Sequence, residues 1–228
     1  MMAELATAEF WVAAVQIVIV NILLSGDNAV VIALACRNLP PKQRRWGIFW
    51  GAFGAIALRI VLTVFALSLL ELPWLKLIGG LLLLWIGVKL IAEEEDEGDD
   101  IKGSERLLSA VKTVIIADLV MSLDNVLGVA AAANGSVILL TFGLLVSIPL
   151  VIVGSQLILK VIERFPVLIV AGGALLGYIA GEMFVREAVL TPWIDGHGHW
   201  LHWAIPAGSA ALVVVIAKGL EWRRAHGG

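Results

Sequence analysis

Two short stretches of this chain set carboxylates and amides inside apolar sequence. The first is LLSGDNAVVIALA at 23–35, which holds Ser25, Asp27 and Asn28, with Asn21 one turn earlier. The second is DLVMSLDNVLGVAAAA at 118–133, which holds Asp118, Ser122, Asp124 and Asn125. Arg59 stands in a third apolar run. An ionised carboxylate at the centre of a membrane helix costs about 2.5 to 3.5 kcal/mol, so these aspartates need a compensating partner. The donors are all oxygens: carboxylates, amide carbonyls and hydroxyls, with no Cys or His among them. Such hard sets suit Mg²⁺, Ca²⁺ and Mn²⁺ rather than Zn²⁺ or Cu⁺. Three aspartates and one arginine sum to −2 when all are ionised, which one divalent cation neutralises. The residues alone do not separate the three hard ions.

On a regular helix Asp118, Ser122 and Asn125 share a face, as do Asn21, Ser25 and Asn28. Asp27 and Asp124 fall about 80° from those stripes. A local distortion, eased in the first stretch by Gly26, would turn them toward the same space. Breaks of this kind are tolerated in a membrane only where the freed backbone faces protein or a water-filled cavity. Both stretches are therefore expected to be distorted or broken helix segments that meet at the centre. The competing reading makes Ser and Asn interhelical hydrogen-bonding groups, with an Arg59–Asp27 ion pair holding the bundle. Three intramembrane carboxylates at matching places favour ion binding.

The elements that must position these groups are membrane helices. The chain is 60% hydrophobic and 15% charged, with a mean hydropathy of +0.96, whereas a soluble domain is about half apolar and a quarter charged. The fold class is all-α, a polytopic transmembrane bundle. Seven runs reach spanning length, at 9–35, 47–70, 74–92, 107–133, 136–160, 166–187 and 203–221. The last is the least regular, broken upstream by Pro192 and Pro206. Pro149 is expected to kink the fifth. The first run lacks a basic leader and reads as a retained helix. The single Cys36 excludes an intrachain disulfide. Eight of the nine tryptophans lie near span ends, as in an interfacial belt; Trp85 is the exception.

With seven spans, 13 of the 16 basic residues fall on one side. The positive-inside rule makes that side cytoplasmic and places the N-terminus outside and the C-terminus inside; the expected location is the plasma membrane. The acidic run EEEDEGDD at 93–100 weighs little against this, and reads as a solvated linker over 93–106 or a cation-collecting vestibule.

The spans repeat. Ser25-Gly26-Asp27-Asn28 matches Ser122-Leu123-Asp124-Asn125, Phe53-Gly54 matches Phe142-Gly143, and Pro73 with Gly79-Gly80 matches Pro166 with Gly172-Gly173. Three-helix units at 9–92 and 107–188, an odd number of helices each, must have opposite orientation. Inverted repeats are a transporter architecture that binds cargo at the midplane. The segment 189–228 adds a seventh helix after the loop DGHGHWLHW, whose three histidines read as a flexible loop or a loose external metal patch. Lys89 and Glu182 are expected to snorkel at helix ends.

NILLSGDNAVVIALA and ADLVMSLDNVLGVAAAA, with LLGYIAGEMF in the sixth span, resemble the TerC family of integral membrane proteins, in its YjbE-type branch, over residues 9–188. The resemblance implies metal-ion homeostasis, chiefly Mn²⁺ export. It also implies that Asn21, Asp27, Asn28, Asp118, Asp124 and Asn125 correspond to the conductive site. Ser25, Ser122 and Arg59 are expected to support it. The expected function is Mn²⁺ export by alternating access, with the ion as cargo rather than cofactor and the lipid bilayer as partner. No nucleic acid is expected, and self-association is left open. The alternative is a non-transporting scaffold that supplies metal to exported or membrane enzymes. No nucleophile–base pair or cofactor motif points to an enzyme.

Overall fold

The computed structural model describes residues 15, 19, 26–64, 72, 74–92, 103–132 and 137–226, with backbone alone at 64, 103, 124–132, 137–140 and 225. Among the described residues there are eight helices and no strand: α1 Gly26–Cys36, α2 Pro41–Val64, α3 Leu75–Ala92, α4 Gly103–Ala132, α5 Val137–Arg164, α6 Val167–Val185, α7 Thr191–His197 and α8 Leu201–His226. Five of them, α2, α3, α5, α6 and α8, are long and apolar enough to cross a membrane. Their outward faces carry exposed Val61, Ile78, Leu81, Trp85, Val153 and Val215. A surface so apolar suits lipid rather than water. Most of the first expected span, 9–25, lies outside the described residues.

The helices pack as α2 on α4, α1 on α5, α3 on α6, and α8 on α6 and α3. Hydrophobic contact with lipid is no less favourable than contact with another helix, so close backbone approach has to drive the packing. Glycines supply it. A Cβ at Gly87 would lie 3.1 Å from the Gly173 carbonyl oxygen, and a Cβ at Gly173 would lie 3.1 Å from the Gly87 carbonyl oxygen. Farther along the same crossing, a Cβ at Gly80 would lie 3.0 Å from the Ala180 carbonyl oxygen. On the other side of α6, Gly177 and Gly181 face the backbone of α8 at Ser209 and Pro206. Pro206 therefore lies inside a helix instead of interrupting the chain.

One end of the bundle gathers arginines on helix C-termini, where orphan carbonyls and the negative dipole end need donors. Arg37 donates to the Leu90 carbonyl and Arg224 to the Ala92 carbonyl at 3.0 Å. Arg44 of α2 reaches Glu163 of α5 at 2.5 Å. That last pair is exposed, so Glu163→Ala is expected to change stability by less than about 1 kcal/mol, within error by thermal unfolding in detergent.

Three expectations change. The second polar stretch does not break its helix: α4 is α-helical without interruption from Gly103 to Ala132, through Asp124 and Asn125. Leu123 occupies the place of Gly26, and leucine favours helix where glycine weakens it. The α4 helix begins at Gly103, inside the segment assigned to the acidic linker. The histidine loop is not irregular, because Thr191–His197 forms a short helix with Pro192 in its first turn, a position proline favours.

Candidate functional site

Among the described residues Arg59 is the largest buried polar side chain, 1% exposed. Helix α2 carries it against α4, which presents Asp118 and Ser122 one turn apart on one face. The Arg59 Nη2 donates to Asp118 Oδ1 at 2.5 Å and its Nε donates to Ser122 Oγ at 2.9 Å. Ser122 Oγ donates in turn to Asp118 Oδ2 at 3.2 Å. Each Asp118 carboxylate oxygen thus accepts at least one bond, and the charge of each ionic partner is met by the other. Charge-assisted bonds of this kind are the strong ones, and they are what allows two buried ions at all.

Helix α1 completes the site. Asn28 is 6% exposed, and its side-chain oxygen Oδ1 is buried without a hydrogen-bond partner. A polar atom in that state is uncommon in a folded protein and asks for a ligand or a water. Asn28, Arg59 and Asp118 line one cavity of about 10 Å³, walled by Ile32, Ala52 and Val151. That is room for about one water-sized body. Asp27 stands half-buried beside it. Its Oδ1 accepts the Asn28 N–H at 2.8 Å, and the charges of Arg59 and Asp118 both act on its carboxylate.

The structure therefore brings Asn28, Arg59 and Asp118 to one cavity, with Ser122 bonded to two of them and Asp27 adjacent. Asn21 and Ser25 lie outside the described residues, as do the side chains of Asp124 and Asn125, whose backbone is in α4. Asp118 and Ser122 share a face as the sequence requires. The buried arginine takes Asp118 and Ser122 where the sequence offered Asp27, because α2 packs along α4. The available donors are carboxylate, amide and hydroxyl oxygens. Among the described residues no group of three His, Cys, Asp or Glu converges to hold a metal.

The histidine loop likewise gathers no such group among the described residues. His197 Nδ1 is bonded to the Trp193 carbonyl at 2.7 Å, and His202 Nε2 to Asp195 Oδ1 at 2.7 Å. The first contact lies within α7 and the second ties α7 to the start of α8. At the ends expected to snorkel, the Lys89 ammonium lies 5.6 Å over the Trp85 ring, while Glu182 meets Arg186 at 3.5 Å.

Sequence reasoning missed Glu187. It is 3% exposed and accepts the N–H groups of Trp74 at 3.3 Å, Lys76 at 3.1 Å and Leu77 at 3.3 Å. The carboxylate thus caps the start of α3, where the macrodipole favours negative charge. Trp74 has a φ of 69°, a region that costs a bulky residue and that this cap helps to hold. The available signal was negative: ELPWLKL offers no Ser, Thr, Asp or Asn of its own at the helix start. Glu187→Ala strands these donors and is expected to cost about 1–3 kcal/mol, read as a lowered unfolding temperature in detergent.

Comparison with known proteins agrees with this architecture. The model of the integral membrane protein TerC family matches residues 6–225. The membrane protein YjbE of Bacillus subtilis is 44% identical over 209 residues, covering 92% of this chain and 95% of its own. YceF of the same organism is 31% identical over 177 residues, covering 74% of this chain and 68% of its own. YkoY, also from Bacillus subtilis, is 26% identical over 226 residues, covering 86% and 69%. No solved structure matches the chain. With an all-helical bundle, five helices fit to cross a membrane and a family match over nearly its whole length, this chain belongs to the integral membrane protein TerC family.

Proposed function

We infer that this protein is a divalent-cation transporter that exports Mn²⁺ across the plasma membrane by alternating access. The observation that carries the reading is the unpartnered oxygen of Asn28, a residue that lines one small cavity together with Asp118 and Arg59. Asn28 comes from the first polar stretch and Asp118 from the second, so the two matching stretches contribute to a single oxygen site. Oxygen donors favour hard divalent ions. The choice of Mn²⁺, and of export over import, follows the family resemblance.

The helix contacts support two inverted three-helix units with α8 added outside them, seven spans in all. Exchanging α1 with α4, α2 with α5 and α3 with α6 turns α2-on-α4 into α5-on-α1, and both packings occur. The shift of 93 residues that sets Gly79-Gly80 on Gly172-Gly173 also sets Gly87 on Ala180. It therefore exchanges the Gly80–Ala180 contact with the Gly173–Gly87 contact. A two-fold axis perpendicular to two antiparallel helices produces such a pair. Cargo in inverted-repeat transporters sits near that axis. The scaffold alternative would lean on the outer histidines, and their geometry does not favour it.

The reading is tested in an export-deficient host. An Asp27→Asn, Asp124→Asn double variant, expressed at the normal level, should leave the host as Mn²⁺-sensitive as the empty host. Tolerance equal to that given by the wild-type protein would contradict this mechanism.

A further inference from the structure

The carboxylate best placed to bind the transported ion already holds a cation, and that cation is part of the chain. An arginine side chain carries a fixed positive charge in proteins. Arg59 lies 2.5 Å from Asp118 Oδ1, while Ser122 holds Oδ2. A divalent ion on Asp118 with Arg59 still in place would bring three positive charges together in a buried site, where repulsion is weakly screened. The 10 Å³ cavity is lined by Arg59 itself, so an ion in it would sit directly against the guanidinium. The unpartnered Asn28 oxygen is open to an ion, whereas Asp118 is already engaged by Arg59 and Ser122, so an ion that takes Asp118 competes with the guanidinium for it.

The geometry points to Arg59 as a tethered competitor of the transported ion, occupying Asp118 when the site is unloaded and leaving it when metal binds. This rests on the transporter reading above. The device solves a specific problem. After the ion leaves, Asp118 would be a bare buried carboxylate, which is costly; the returning arginine neutralises it and weakens rebinding. The second unit has no counterpart, since Ile148 stands at the place that matches Arg59 when Phe53-Gly54 is set on Phe142-Gly143. The competition therefore acts from one unit only.

The test is Mn²⁺ binding to purified protein, followed by the paramagnetic resonance signal of free Mn²⁺. If the unloaded state is dominated by the Arg59–Asp118 pair, apparent affinity is reduced by the fraction of competent protein. Arg59→Gln should then bind about 10- to 100-fold more tightly, with multiple-turnover flux reduced. Arg59→Lys should fall between Arg59→Gln and the wild type. Unchanged or weaker binding by folded Arg59→Gln overturns the proposal. Should that variant not fold, ¹⁵N-arginine-labelled wild type gives a second readout by infrared difference spectroscopy. A guanidinium band that shifts with Mn²⁺, and that is absent in Arg59→Lys, supports displacement; an unshifted spectrum at saturating Mn²⁺ overturns it. Wild-type binding that depends on Asp118 but is indifferent to Arg59 defeats this inference alone. No binding of Mn²⁺, Ca²⁺ or Mg²⁺ by the wild type defeats the transporter reading with it.

Discussion

Asp118→Asn should lower Mn²⁺ flux in proteoliposomes by about a hundredfold or more, because the ion loses the charged ligand of its site, a loss of about 2–5 kcal/mol for a buried charge pair, and each 1.4 kcal/mol is a factor of ten. Asparagine preserves shape and leaves an acceptor for Ser122, so the loss reports charge. The substitution also takes the Asp118 charge away from buried Arg59, and the protein should be destabilised by about 3–5 kcal/mol. The two effects separate in the Arg59→Gln, Asp118→Asn double variant, which removes both charges together. A neutral pair of similar shape is often no worse than the ion pair it replaces. The unfolding temperature should recover in the double variant while flux stays lost. Recovery of both would make Asp118 a structural residue.

The second large effect is at the crossing of α6 and α8. Gly181 faces the backbone of Pro206, and a Cβ there would also lie 3.0 Å from the Ile205 carbonyl oxygen. A Cβ at Gly177 would lie 2.7 Å from the Ser209 carbonyl oxygen. Backbone atoms cannot rotate away as a side chain does, so Gly181→Ala has to push the helices apart. Overpacking costs about 1–3 kcal/mol, occasionally more, and Gly181→Ala should reach the upper end of that range. Yield of monodisperse protein and unfolding temperature should both fall. Gly219 on α8 supplies the control, since a Cβ there meets nothing within 4 Å. Gly219→Ala should instead gain about 0.5–1 kcal/mol of helix stability. Equal responses of the two variants would mean that α6 and α8 do not approach closely.

The sequence was most informative where a physical cost forced the residue choice. Buried charge in apolar sequence marked Asp118 and Arg59, and the helical period put Asp118 and Ser122 on one face. Span positions followed from the length of apolar runs: 74–92 is seen as Leu75–Ala92 and 166–187 as Val167–Val185. Partners were harder to read. Arg59 had several candidate carboxylates, and only the packing of α2 on α4 selects Asp118. Glu187 caps a helix that starts about 110 residues earlier, a contact no local pattern announces. Pro206 looked like a breaker because its neighbour Gly181, which lets the proline-bearing helix approach, is distant in sequence. The distorted second stretch was an error of analogy: Gly26 suggested a break, and Leu123 in its place sustains the helix.

The central claim, that this chain moves a divalent cation through the Asn28–Asp118 site, is tested most directly by reconstituting the purified wild-type protein in liposomes. Mn²⁺ flux would be followed with and without a proton gradient, beside Ca²⁺ and Mg²⁺. The account predicts saturable Mn²⁺ flux that the Asp118→Asn protein lacks. Folded protein that passes none of the three ions would contradict it, and the unpartnered oxygen of Asn28 would then need another ligand.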